Sequence, residues 1–275
     1  MTWHTGRLAL FDLETTGVDP HRDRIVSAAV ILVGAGHDTV TSEWLVNPGI
    51  DIPEGAAAVH GITTEHAQQH GTDPSRAVHE IGMALYEACS KGIPVVGHNV
   101  VYDLTMLHAE SIRHSSPVGV AELAPVIDTM VIEKHLDPFR PGKPNGRRPD
   151  TACGPHTLIE CCRLWGIDLA EADAHGAAAD ALAAGRLAWR LATQHDRFAE
   201  FDGPRGVDRI NPGQWPLDRL HAWQAETKKA QADSFGKYLV KQGKPDDVSR
   251  EWPVQSPPPG WTPEQLPTPR EADAA

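Results

Sequence analysis

Cysteine is scarce in this chain: four in 275 residues, at Cys89, Cys153, Cys161 and Cys162. Their positions fit neither a disulfide framework nor a zinc-binding spacing, which excludes a stapled secreted scaffold and a structural zinc module. Cys161 and Cys162, adjacent in an expected helix, read instead as reduced core or interface residues. Also missing is any apolar stretch long enough to span a bilayer, and the first residues, MTWHTGR, lack the apolar core of a signal peptide. A cytoplasmic protein with no membrane contact is therefore expected. Excess basic charge is absent as well, since 25 Lys and Arg face 37 Asp and Glu for a formal net charge of −12. No internal repeat is evident. At 40% hydrophobic content the chain suffices for one substantial core with an appendage, not for two full domains.

What is present begins at residues 8 to 17, LALFDLETTG, an unbroken apolar run ending in Asp12 and Glu14. In a strand, residues two apart project from the same face, so both carboxylates look into one small volume. Burying them so close together is costly unless a cation is held between them. The Thr15-Thr16-Gly17 that follows supplies a polar turn with backbone donors. Alone, this pair also fits a solvated strand end, and the rest of the constellation decides. Pro94 to Gly97 reads as a short buried strand, after which His98-Asn99 opens a helix with Asp103 in its first turns and Val100, Leu104 and Leu107 as its core stripe. The alanine-rich segment 174 to 192 is a third element, with His175 at its start and Asp180 about one and a half turns on.

DLETTG at 12–17, GHNVVYD at 97–103 and HGAAAD at 175–180 resemble the three exonuclease motifs of the DnaQ-like, DEDDh-type 3′–5′ exonucleases, which include polymerase proofreading subunits and oligoribonuclease. VHGIT at 59–63, VIDTMVIEKHL at 126–136 and HTLIECCRLWGID at 156–168 extend the resemblance over about residues 7–195. Tyr102 departs from it, standing where Phe is common. The resemblance implies a ribonuclease H-like fold and phosphodiester hydrolysis with two divalent ions roughly 4 Å apart. Hard oxygen ligands favour Mg²⁺ or Mn²⁺ over zinc. By the same resemblance Asp12 bridges both ions, Glu14 and Asp180 complete the one beside the attacking water, Asp103 holds the other, and His175 is the general base. The terminal nucleotide would lie against Leu13, Thr15 and Gly17, with His60, His98, Asn99 and Tyr102 as further contacts; for each, a packing or capping role is the alternative.

The acidic balance speaks against tight nonspecific duplex binding but not against hydrolysis of short single-stranded ends, where metal ions and local donors supply the attraction. The best basic patch is the Pro/Gly-rich segment 138–149, with Arg140, Lys143, Arg147 and Arg148, either a phosphate-tracking lid or a solubilising insertion. Strands are expected at 7–13, 24–33, 38–46, 94–97 and 125–128, and helices at about 75–90, 100–114, 128–136, 156–165 and 176–194. Together they imply a mixed five-stranded α/β sheet flanked by helices. The exonuclease domain is taken as residues 1–195, followed by a helical extension at 196–252. Within it, segment 216–242 reads as one or two helices with Leu220, Trp223, Phe235 and Leu239 as an apolar set. Residues 253–275 form a proline-rich tail, extended or disordered. The extension either packs on its own domain or docks a polymerase or a second protomer. Three functions follow: a freestanding 3′–5′ exonuclease on single-stranded DNA or short RNA, a proofreading or repair subunit dependent on a DNA polymerase, and a non-catalytic nucleic-acid-binding relative.

Overall fold

The computed structural model describes residues 2–138, 140–141, 143, 153–168, 176–197 and 210–263. After a short 3₁₀ turn come β1 (Arg7–Thr15), β2 (Ile25–Gly34), β3 (Val40–Leu45), α1 (Glu54–His60), α2 (Thr64–His70), α3 (Pro74–Ser90), β4 (Val95–Gly97), α4 (Val100–Arg113), β5 (Val126–Asp128), α5 (Thr129–Leu136), α6 (Leu158–Trp165), α7 (Ala177–Thr193) and α8 (Leu217–Lys241). The sheet order is β3-β2-β1-β4-β5. β1 to β3 form an antiparallel meander, while β4 runs parallel to both β1 and β5. This is the mixed five-stranded α/β sheet that the pattern of strands and helices implies. The two short helices α1 and α2 were not foreseen. Each has seven residues and neither carries a long apolar stripe, yet both have local stop and start signals: Gly61 ends α1 in the left-handed region at φ 75°, and the Thr63 hydroxyl accepts from His66 N–H to cap α2.

Alternation along β1 sorts its side chains between two cores. Leu8 and Leu10 join Ile31, Val96, Ile127 and the apolar faces of α6 and α7, whereas Phe11 and Leu13 join Val78, Ile81, Leu85, Leu104 and Leu107 of α3 and α4. Asp12 and Glu14 share the parity of Leu8 and Leu10, so they face α7. Helix α7 comes close to the sheet because its inner face is small: Ala181, Ala184 and Ala188 are fully buried. At Gly185 a Cβ would stand 2.6 Å from Cδ1 of Leu10. Gly185→Leu is therefore expected to lower stability by about 1–3 kcal/mol through overpacking, more than the roughly 1 kcal/mol of helix propensity regained. Urea unfolding checks this, and an unchanged midpoint would show that α7 has room to spare.

Helix α8 is continuous through Gly236 and lies along the open edge of β5. An unpaired edge exposes backbone donors and acceptors. Gln224, fully buried, accepts from Asp128 N–H at 2.7 Å and donates to the Val126 carbonyl at 2.9 Å, while His221 Nδ1 accepts from Val126 N–H at 3.0 Å. Side chains thus stand in for a sixth strand. The apolar set read from the sequence holds at its N-terminal half, where Leu220 is fully buried and Trp223 packs against the α7-side core. It does not hold at Phe235, which is 53% exposed; the buried positions continue instead through Ala232 and Gly236, four residues apart. Residues beyond α8 fold back across α4, with Trp252 and Val254 against the α3/α4 core and Gln255 N–H donating to Thr105 Oγ1 at 3.0 Å.

Candidate active site

Three elements converge at the C-terminal end of β1. Asp12 and Glu14 come from β1 itself, opposite Ala29 and Ser27 of β2, and Asp180 comes from the first turn of α7. One carboxylate oxygen from each of the three lies within 4.8 Å of the others. Asp103, in the first turn of α4, is nearly buried at 4% exposure. Past Gly97, where β4 stops, the β4-facing edge of β1 has no strand to bond, and Asp103 Oδ1 accepts from Leu13 N–H at 3.1 Å. Four carboxylates separated by 168 positions in the sequence, Asp12 to Asp180, therefore form one acidic cluster.

The electrostatics are those of a site in need of positive charge. Burial, followed by the charges of Asp103, Asp180 and Glu14, holds the Asp12 carboxyl well above the usual range. Glu14 is pushed up to about 7, by burial first and by Asp180 second. Asp103 is raised by burial, with the Leu13 N–H opposing. A hard oxygen donor set of this charge suits a divalent ion such as Mg²⁺ or Mn²⁺. The described residues hold one other compact donor group, Glu133, His156 and Cys161. There a cation is already supplied, because the Arg140 guanidinium bonds Glu133 Oε1 and lies 3.7 Å from Cys161 Sγ. Arg140 also donates to the Gly154 and Pro155 carbonyls and is only 8% exposed, so it anchors the segment rather than facing nucleic acid. Lys143 is described; Arg147 and Arg148 lie outside the described residues, as does His175.

The expected contact residues are mostly engaged with the protein. Leu13 is buried in the α3/α4 core. Thr15 Oγ1 and the Tyr102 hydroxyl both donate to the Gly17 carbonyl, at 2.7 and 2.5 Å, with the two oxygens 2.8 Å apart. Tyr102 thus ties α4 to the turn after β1, a bond the common Phe would lack. His60 lies against the Thr15 backbone; its Nδ1 accepts from Ile62 N–H at 3.2 Å and its Nε2 has no hydrogen-bond partner among the described residues. Both ring nitrogens of His98 are taken, by Thr129 Oγ1 at 2.9 Å and the His156 carbonyl at 3.0 Å. Asn99 sits in the left-handed region at φ 59° and donates its N–H to Asp128 Oδ1 at 3.0 Å. Asp128 was not singled out from the sequence. Its position directly before α5 is a capping signal, and it accepts from Met130 N–H while bracing the turn that leads to Asp103.

A family model described as RNase_T, an exonuclease, matches residues 10–188. The chain belongs to this DnaQ-like exonuclease family. Members normally use divalent metal ions, in keeping with the acidic cluster. Among curated relatives, the chain is 29% identical over 185 residues to a DNA polymerase III subunit epsilon-like protein of Rhodobacter capsulatus, a match covering 66% of this chain and 23% of that one. It is 27% identical over 138 residues to a PolC-type DNA polymerase III of Pediococcus pentosaceus, covering 50% of this chain and 9% of that protein. The match thus spans less than a quarter of either relative. Among solved structures, E. coli exonuclease I in complex with a dT13 oligonucleotide superposes with a TM-score of 0.55 at 20% identity, over 71% of this chain and 43% of that one. That likeness establishes the ribonuclease H-like fold. Among the described residues no helix is long and apolar enough to cross a membrane.

Proposed function

We propose that the chain is a DEDDh-type 3′–5′ exonuclease that releases nucleoside 5′-monophosphates from the 3′ end of single-stranded DNA or short RNA. The convergence of Asp12, Glu14 and Asp180 within 4.8 Å, with Asp103 beside them, carries the reading. Asp12, Glu14, Asp103 and Asp180 would hold Mg²⁺ or Mn²⁺, which when bound supplies charge stabilisation at the phosphate and lowers the pKa of water. The backbone around Leu13, Thr15 and Gly17 would seat the terminal nucleotide, with His60, His98, Asn99 and Tyr102 nearby. His175 would take the proton of the attacking water. The P–O3′ bond then breaks, leaving a 3′ hydroxyl on the shortened strand and a 5′ phosphate on the released nucleotide.

Matched DNA and RNA oligomers, labelled at either end and incubated with Mg²⁺ or Mn²⁺ alongside an Asp12→Ala control, test reaction class, direction and sugar preference together. Mononucleotide release from the 3′ end is expected, and release from the 5′ end or from the control would refute the reading. Because Glu14 must shed a proton near pH 7 to act as a ligand, apparent Mg²⁺ affinity is expected to rise about tenfold between pH 6 and pH 8. Calorimetric titration reads this directly, and a flat profile would remove Glu14 from the ligand set.

A second reading, a subunit working with a DNA polymerase, draws on the polymerase III relatives and on Phe235 and Tyr238, which stack 6.2 Å apart on the exposed side of α8. In that reading residues 1–195 are the catalytic unit, and the helical extension 196–252 or the tail 253–275 meets the partner or a second protomer. Co-migration with a polymerase on size-exclusion chromatography separates it from a freestanding enzyme.

A further inference from the structure

Between β1 and β2 the chain makes a loop, residues 16–24, that begins two residues after Glu14 and has no helix or strand of its own. It is held by polar bonds. Thr16 and Arg24 exchange backbone and side-chain bonds, Asp23 Oδ2 accepts from Asp19 N–H at 2.7 Å, and the Asp23 carboxylate fills the space a Cβ on Gly17 would need, 2.5 Å away. Gly17 in turn accepts from Tyr102 and Thr15.

The outside support comes from far along the chain. The carbonyl of His21 accepts from the Arg113 guanidinium of α4 and from Trp261 Nε1 at 2.7 Å. The Trp261 ring lies 5.4 Å from the Arg113 guanidinium carbon and edge-on to the His21 ring at 6.2 Å. His21 Nε2 is 3.4 Å from the Gln255 carbonyl, and the strand of chain between is seated on α4 through Gln255 N–H and the apolar contacts of Trp252 and Val254. The Arg113 side chain is itself charge-paired with Glu110 at 2.5 Å and 4% exposed, and the half-buried indole lies over this pair.

We propose that segment 252–261 is a brace of the exonuclease site, with Trp261 as a positioning residue that holds the 16–24 loop and through it Gly17 and Thr15. It lies beyond residue 188, outside the stretch that matches the family model. The consequence for catalysis rests on the exonuclease reading, in which Gly17 and Thr15 seat the terminal nucleotide: the brace sets how tightly the 3′ end is gripped while leaving the acidic cluster intact.

The test compares the full chain with Trp261→Ala and Trp261→Phe. Amide hydrogen exchange of residues 16–24 is expected to accelerate by about tenfold in Trp261→Ala, with residues 7–13 of β1 unchanged, and by less in Trp261→Phe, which keeps the ring but not the indole donor. On a single-stranded oligomer KM is expected to rise about fivefold or more at nearly constant kcat, the signature of lost ground-state binding. Unchanged exchange at 16–24, equal acceleration across β1, or a fall in kcat at constant KM would each overturn the brace. Absence of hydrolysis by the unaltered chain would instead overturn the exonuclease reading, and exchange alone would still decide whether the loop is braced.

Discussion

Asp12→Asn is expected to abolish turnover and, in the absence of metal, to make the protein more stable. Asp12 sits at the centre of the acidic cluster, where burial and then Asp103, Asp180 and Glu14 oppose its ionisation. A carboxyl whose folded pKa lies above its unfolded one destabilises the fold as pH rises: the unfolded chain releases its proton first, and stability falls from the ordinary carboxylate range upward. For Glu14 that window runs from about 4.5 to about 7. At pH 8 without divalent ions the cluster is therefore a net cost, and an isosteric amide at position 12 removes the charge at its centre. A rise of about 2–4 °C in Tm for each kcal/mol relieved is expected in chelator. With Mg²⁺ the order reverses, because binding stabilises only the chain that holds the ion. Turnover should fall by about 10³-fold or more, the loss of about 4 kcal/mol of charge stabilisation at the phosphate. A lower Tm in chelator, or a Mg²⁺-dependent gain in Tm equal to that of the unaltered chain, would contradict this account of the cluster.

The other large effect is expected at His175. Gly176, extended at φ −131° and ψ 139°, accepts through its carbonyl from the N–H groups of Ala179 and Asp180, so the start of α7 is fixed directly after position 175. His175→Ala should leave Asp180, the acidic cluster and Mg²⁺ affinity untouched while turnover falls about 10²- to 10⁴-fold, the usual worth of a positioned general base. If His175 is the base, it acts in its neutral form, and the part of the acidic limb of the kcat profile that belongs to it should vanish in the variant at saturating Mg²⁺. Undiminished hydrolysis, or a retained acidic limb with reduced Mg²⁺ affinity, would assign the residue a ligand or folding role instead.

Much of this protein is written in local pattern. The apolar run into Asp12 and Glu14 reads as a strand because burial and parity act residue by residue, and β1 carries both carboxylates on one face as that parity requires. Helices α4 and α7 announce themselves through the turn at His98-Asn99 and the run of alanines. Other features have no local signature. Gln224 looks like a surface residue of α8 until the open edge of β5 gives its amide two partners. Arg140 looks like part of a cationic loop until Glu133 and two carbonyls enclose it. Trp261 lies in a proline-rich stretch whose composition says nothing of the His21 carbonyl it meets 240 positions away.

Sequence alone determined the order of the five strands and of the longer helices, the parity of β1 and the identity of the acidic residues, because propensity and periodicity are properties of neighbours in the chain. Only the tertiary structure decided that Asp12, Glu14 and Asp180 come within 4.8 Å, that Asp103 takes the Leu13 N–H, and that the C-terminal segment returns to the loop after β1. Those facts depend on how closely an alanine-faced helix can approach the sheet and on which buried donors and acceptors must be satisfied once water is excluded. Such requirements arise between elements and exist only when the chain is folded.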